Sequence, residues 1–189
     1  MEYLGARKPV NKLKPLASIC IQTYNHESYI AQALDSVLSQ ETDFDYEILL
    51  GEDDSSDNTR AICIEYAEKY PDKIRLFLND RKNVIYINGM ATGRWNFINN
   101  LKNARGEYIA LLDGDDYWLG SSKLQKQVDV LESNKEYSLV FCNGTVEYTD
   151  YDLDSHDIYQ KNKLTTKHYH AFALPDEITN IQCLAKGNY

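Results

Sequence analysis

YIALLDGDDYW, residues 108–118, is a short apolar run that ends in three carboxylates within four residues. A continuous apolar run of this length, Tyr108 to Leu112, suits a strand buried on both faces of a sheet. Asp113, Asp115 and Asp116 follow it directly. Carboxylates set so close repel one another unless a cation lies between them or one is protonated.

The same pattern recurs on either side. ASICI (17–21), YEILL (46–50), IRLFL (74–78) and SLVFC (138–142) are further buried strands by the same criterion. Helical spacing fills the gaps between them. Asn25 is placed to cap a helix carrying Ile30, Ala33, Leu34, Val37 and Leu38. Ser55 or Ser56 is placed to cap a second, with Ile62, Tyr66, Ala67 and Tyr70, stopped by Pro71. Phe97, Ile98 and Leu101 mark a third helix, after a loop rich in Asn and Gly. Leu124, Val128 and Leu131 mark a fourth. Residues 1–16 read as an irregular lead-in, and residues 143–175 as a polar stretch that breaks the alternation.

Alternating units of this kind predict an α/β fold, a mostly parallel sheet with helices on both faces. Its right-handed crossovers gather the strand C-terminal ends on one edge, where open α/β sheets bind ligands. The polar clusters fall there: QTYNH after the first strand, GEDDSSDNT after the second and DGDD after the fourth.

Composition narrows the chemistry. The chain has 189 residues and a formal net charge of −9, which disfavours nucleic acid as a partner, because binding a polyanion relies on Lys and Arg. Its apolar runs fall far short of the roughly 20 residues needed to span a bilayer. No charged-then-apolar leader opens the sequence, so the expectation is a cytoplasmic protein, with peripheral contact at the inner face of the membrane as its extension. Cys20, Cys63, Cys142 and Cys183 show no metal-ligand spacing and are expected as buried, reduced thiols. There is no phosphate-binding glycine loop, no GxSxG and no HExxH.

Alternation along an extended chain would point Asp113 and Asp115 to one side, with Gly114 admitting a ligand to the backbone. Hard oxygen donors suit Mg²⁺ or Mn²⁺, and a diphosphate could complete the shell; the plain alternative is a solvated acidic turn. Ser55, Ser56 and Asp57 are explained by helix capping, Asp53 less well. Tyr24 could stack on a planar ring or simply edge the core. Arg94 lies near a helix start, where a cation is disfavoured, and so could serve a ligand instead.

Three motifs in order resemble the family 2 glycosyltransferases of the GT-A (Rossmann-like) fold: SICIQTYNHESYIAQALDSVLSQ, EILLGEDDSSDNT and ARGEYIALLDGDDYW. The likeness runs from about Ala17 to Cys142. It implies a core over 17–143, preceded by the lead-in 1–16 and followed at 144–189 by part of an acceptor-side region. It also implies a DxD pair at Asp113 and Asp115, with Asp115 the direct Mn²⁺ or Mg²⁺ ligand and Asp113 beside it. Asp53 is similar in position to the acid that meets the nucleotide base, Tyr24 to the aromatic lying on it, Gln22 to a backbone contact, and Arg94 to a basic residue that touches the nucleotide. Glu52 and Asp54 depart from the residues more usual there.

The implied reaction moves a sugar from a nucleoside-diphosphate sugar, a UDP-sugar by preference, to a hydroxyl of a glycan or lipid-linked acceptor, with inversion. The family's general base lies beyond the fifth strand. His168, His170, Asp176 and Glu177 are candidates by location alone, and the base is expected past the C-terminus of a truncated chain. The alternatives are a nucleotide-sugar-binding module without turnover and a Mg²⁺-dependent phosphohydrolase. The latter would want an acid where QTYNH stands.

Overall fold

The computed structural model describes residues 1–5, 14–142, 144–146 and 167–169. Its elements run β1 (Ala17–Thr23), α1 (Ile30–Leu38), β2 (Tyr46–Glu52), α2 (Thr59–Lys69) and β3 (Ile74–Leu78). A 3₁₀ turn (Arg81–Asn83) follows, then β4 (Ile85–Ile87), β5 (Met90–Thr92), α3 (Arg94–Asn103), β6 (Tyr108–Asp113), α4 (Lys123–Ser133), β7 (Gly144–Val146) and β8 (Lys167–Tyr169). The chain divides within α4 into two compact units, Met1–Lys126 and Gln127–Tyr189.

In the first unit four parallel strands lie in the order β3-β2-β1-β6. The chain grows outward from β1 to β3 and then returns to the other side of β1. That reversal falls between β1 and β6, and the carboxyl ends of strands at such a point are where open α/β sheets take ligands. On one face Cys20, Leu49 and Phe77 form a buried cluster, against which Leu101 of α3 and the following Ala104 pack. The pleat sends Ile19, Ile21, Ile48 and Leu50 to the opposite face, all of them buried. There α1 contributes Ile30, Ala33, Leu34 and Val37, and α2 contributes Cys63 and Ala67.

At the amino-terminal end of the strands a buried ionic network ties the layers together. Glu47 accepts from Ser18 Oγ (2.8 Å), Arg105 Nε (2.9 Å) and the Arg105 backbone N–H (3.0 Å). Arg75 Nη1 reaches the same carboxylate at 3.4 Å, and its Nε meets Glu2 at 3.1 Å. Burial alone would raise the pKa of Glu47; the bonds from Arg105 and Ser18 outweigh it and hold the carboxyl below its ordinary range.

Several expectations are corrected here. Residues 138–142 form no strand: the stretch is irregular apart from a single bridge at Phe141, and Leu139 and Cys142 are exposed. A short apolar run becomes a strand only where a neighbour completes its ladder, and among the described residues none does. Cys20 and Cys63 are buried as expected, and burial pushes the Cys20 thiol up to about 12. Cys183 lies outside the described residues.

Helix α1 begins at Ile30 with no side-chain cap, so Asn25 does not cap it. Neither Ser55 nor Ser56 caps α2; instead Asp57 Oδ1 accepts the N–H of Thr59 at 2.9 Å. The buried face of α3 is Asn96 and Asn100, while Ile98 is exposed. The Asn- and Gly-rich loop is a β4–β5 hairpin turning at Asn88–Gly89, both with positive φ (50° and 79°). Residues 1–3 are not irregular: they lie antiparallel along β3, with Tyr3 N–H on Leu76 O (2.7 Å) and Leu78 N–H on Met1 O (3.0 Å).

In the second unit β7 and β8 pair antiparallel. Among the base candidates His168 falls in β8, and His170, Asp176 and Glu177 lie outside the described residues.

Candidate donor-binding site

The loops that follow β1 and β2 are stitched to each other. Asn25, at φ 54°, accepts the Ser56 N–H at Oδ1 (2.8 Å) and donates its own N–H to Ser55 Oγ (3.0 Å). The Glu27 N–H donates to Asp57 (3.1 Å), and the Asn58 N–H to Glu27 (2.8 Å). The hydroxyls and amides of DSSDN therefore hold the β1 loop rather than start a helix.

The three acids that close β2 are separated in role. Glu52 is fully buried and receives Arg60 Nε at 2.5 Å and the Ser55 N–H at 2.6 Å. Asp54 shares the same guanidinium, at 3.2 Å. Asp53 is only 2% exposed and points elsewhere: its Oδ2 accepts from Arg81 Nη1 at 3.0 Å, and its Oδ1 is buried without a partner. Burial raises its pKa, the charges of Glu52 and Asp54 add to that, and Arg81 opposes it. The Arg81 guanidinium lies 4.2 Å over the ring of Tyr24, which is 39% exposed. Tyr24, Arg81 and Asp53 thus form one cluster, planar groups around an acceptor that lacks a donor.

The acids that close β6 form a second cluster beside β1. Gln22 and Asp113 are register partners, and Gln22 Nε2 donates to Asp113 Oδ1 at 2.9 Å. The strand does not stay extended through Asp115, so simple alternation does not align the two acids. The Asp116 N–H returns to Asp113 O at 3.0 Å, closing a turn over Gly114 and Asp115. Gly114 does not open the backbone to a ligand. It is buried, and a Cβ there would meet Thr23 Cβ and Oγ1 at 2.8 Å and His26 Nδ1 at 2.9 Å. Asp115 Oδ2 lies 3.8 Å from His26 Nε2. Partial desolvation, then the charges of Asp115 and Asp113, raise the pKa of Asp116, with His26 opposing.

Arg94 is exposed at the first position of α3. Two residues on, buried Asn96 donates to Gly51 O (2.7 Å) and accepts from Asn79 Nδ2 (3.0 Å), and Asn100 donates to Ile21 O (2.9 Å). The first turn of α3 is therefore anchored at the carboxyl edge of β1 and β2. No hydrogen bond or ion pair among the described residues joins Arg94 to either acidic cluster. Sequence reasoning missed Arg81, the residue that joins Asp53 to Tyr24. The signal was a cation just after the carboxyl end of the third strand in a strongly acidic chain. It missed the buried asparagines too, since helical periodicity counts apolar residues.

An open parallel sheet, with an acidic turn and an acid–arginine–tyrosine cluster along its carboxyl edge, defines the class as an α/β domain with its polar groups gathered at one edge. The chain belongs to a particular family of such domains: the pattern described as Glycosyl transferase family 2 matches residues 18–185. An uncharacterized protein of Mycobacterium tuberculosis is 39% identical over 138 residues, 73% of this chain and 38% of that protein. An Escherichia coli protein, UDP-Glc:alpha-D-GlcNAc-diphosphoundecaprenol beta-1,3-glucosyltransferase WfgD, is 36% identical over 132 residues, covering 70% of this chain and 46% of that one. The chain thus spans less than half the length of these curated relatives. The mannosyltransferase PcManGT of Pyrobaculum calidifontis, solved with GDP-Man and Mn²⁺, superimposes with a TM-score of 0.55. It is 22% identical, over 71% of this chain and 36% of that one, a likeness of fold. Among the described residues no helix is long and apolar enough to cross a membrane.

Proposed function

We propose that this chain carries the donor site of a metal-dependent, inverting glycosyltransferase of the hexosyltransferase type. It moves a sugar from a UDP-sugar to an acceptor hydroxyl in bacterial polysaccharide or cell-surface glycan synthesis. The observation that carries this reading is that the Tyr24–Arg81–Asp53 cluster, past the carboxyl ends of β1, β2 and β3, and the Asp113–Asp115 turn, at that of β6, stand on one edge of one sheet. The first offers an aromatic face and an unpartnered acceptor to a base N–H. The second offers carboxylates to the diphosphate end of the same ligand through a cation.

The donor set fits Mn²⁺ or Mg²⁺: hard carboxylate oxygens from three acids within four residues of one turn. Among the described residues no group of three or more protein ligands surrounds a point. Asp115, with Asp113 beside it, would therefore share the ion with oxygens of the diphosphate. When bound, such an ion stabilises the charge that develops on the departing diphosphate. Gln22 holds Asp113 in place through its amide, and Arg94, at the start of α3, is free to contact the nucleotide. The name of the E. coli relative supports a UDP-sugar donor and a diphosphoundecaprenol-linked acceptor; work at the cytoplasmic face of the membrane is part of the same proposal.

Calorimetry of UDP binding tests this directly. UDP is expected to bind tightly only with Mn²⁺ or Mg²⁺ present, and Asp115→Ala to abolish that dependence. Metal-independent binding that Asp115→Ala leaves unchanged overturns the assignment.

A further inference from the structure

His26 sits in the QTYNH cluster but has no part in the donor site as described so far. Its backbone is fixed on both sides: the N–H donates to Thr59 Oγ1 at 2.8 Å, and the carbonyl accepts from Tyr29 and Ile30, each at 2.9 Å. Its imidazole is mostly buried, with Nε2 facing Asp115 Oδ2 at 3.8 Å. A shift of about 1 Å would turn that approach into a hydrogen bond. On the other side of the ring, Nδ1 is buried without a partner, and so is the hydroxyl of Thr23. Both atoms lie within 3 Å of the point that a Cβ on residue 114 would occupy. A buried hydroxyl donor and a buried imidazole acceptor in one corner satisfy each other at little cost, whereas each left alone is expensive.

Resting on the cation site proposed above, we propose that His26 is a positioning residue. A small shift of the ring would let Thr23 Oγ donate to Nδ1 and leave the ring proton on Nε2, and that N–H would hold the Asp115 carboxylate in the orientation that binds the ion. A carboxylate on an exposed turn is otherwise free to rotate, and binding an ion then costs side-chain entropy. Outer-shell partners of metal ligands characteristically carry about 10–100-fold in metal affinity. Gly114 is part of the same device, because any larger residue would fill the corner in which the two groups meet.

The test is Mn²⁺ affinity in the presence of saturating UDP, read by electron paramagnetic resonance of free Mn²⁺ in the full 189-residue chain. His26→Leu is expected to weaken Mn²⁺ binding about 10–100-fold. His26→Gln, which keeps an N–H donor near the Nε2 position, is expected to restore most of it. Thr23→Val is expected to weaken binding in the same direction by less. Far-UV circular dichroism and the urea unfolding midpoint of each variant serve as the control for folding. Loss of Mn²⁺ affinity in His26→Leu with that control preserved, and with rescue by Gln, supports the inference. Equal Mn²⁺ affinity in His26→Leu and the unaltered chain overturns it and leaves the cation site standing. Failure of rescue by Gln overturns the donor role. An unaltered chain that takes up no Mn²⁺ with UDP overturns both.

Discussion

At the scale of single residues, the proposed donor site is built from groups whose surroundings leave them one thing short. Asp53 has one oxygen on Arg81 and the other buried without a donor, so a base N–H would complete it. Asp53→Ala is expected to weaken UDP binding about tenfold or more, the scale of a hydrogen bond to a charged group, with the metal dependence intact. Calorimetry with and without Mn²⁺ separates the two effects. Because burial raises the pKa of Asp53, its charged, accepting form is complete only above the ordinary carboxylate range. UDP affinity should therefore climb as pH rises through that raised value, and a titration of affinity against pH in the unaltered chain and in Asp53→Ala checks it. Gly114 is a packing requirement. A Cβ 2.8 Å from Thr23 Cβ has nowhere to go, so Gly114→Ala is expected to cost about 1–3 kcal/mol, measured by denaturant unfolding.

At the scale of elements, what aligns the site is a set of buried amides under it. Asn96 and Asn100 turn α3 onto the backbone of β2 and β1, and Asn79 joins the same set while its N–H holds Glu52 O at 2.8 Å. Gly51 allows this, since a Cβ there would fall 1.7 Å from Asn96 Oδ1. Gly51→Ala and Asn96→Ala should each destabilise, the latter by about 2 kcal/mol for the polar groups it orphans. The double variant should cost less than the sum by at least about 0.5 kcal/mol, because removing the amide makes room for the methyl. A double-mutant cycle in urea reads this out. An additive result would mean that the helix and the strand are not locked through that contact.

At the scale of the whole molecule, the four-stranded sheet is clamped by charge at the amino-terminal end of its strands, the end opposite the proposed donor site. Glu47 is the clamp. Its folded-state pKa is lowered, so its stabilisation is fully present above the unfolded value and is lost as pH falls through the folded one. Glu47→Gln should cost about 3 kcal/mol near neutrality by leaving Arg105 and Arg75 without their shared carboxylate. The gap from the unaltered chain should narrow as pH falls below the ordinary carboxylate range. Unfolding midpoints at several pH values would show it, and a gap independent of pH would contradict it.

The sequence by itself determined the parallel architecture and the edge that carries the chemistry. A continuous apolar run such as Ile48–Leu50 can be buried only between two layers, and the crossovers then put Tyr24, Asp53 and Asp113 at one end; the run at 108–112 reads the same way but forms β6 at the edge of the sheet, where Ile109 and Leu111 are exposed rather than buried. It also holds a hairpin signal, Asn88–Gly89 between Ile87 and Met90. Only the tertiary structure decided that Arg81 bridges Asp53 and Tyr24, that Gln22 holds Asp113, that His26 faces Asp115, and that SLVFC forms no strand. The physical reason is range. Hydrophobic period and turn chemistry act between neighbours a few residues apart and are written in order along the chain. A guanidinium, an amide or an imidazole finds its partner across tens of residues, through directional contacts that exist only once the strands are in register.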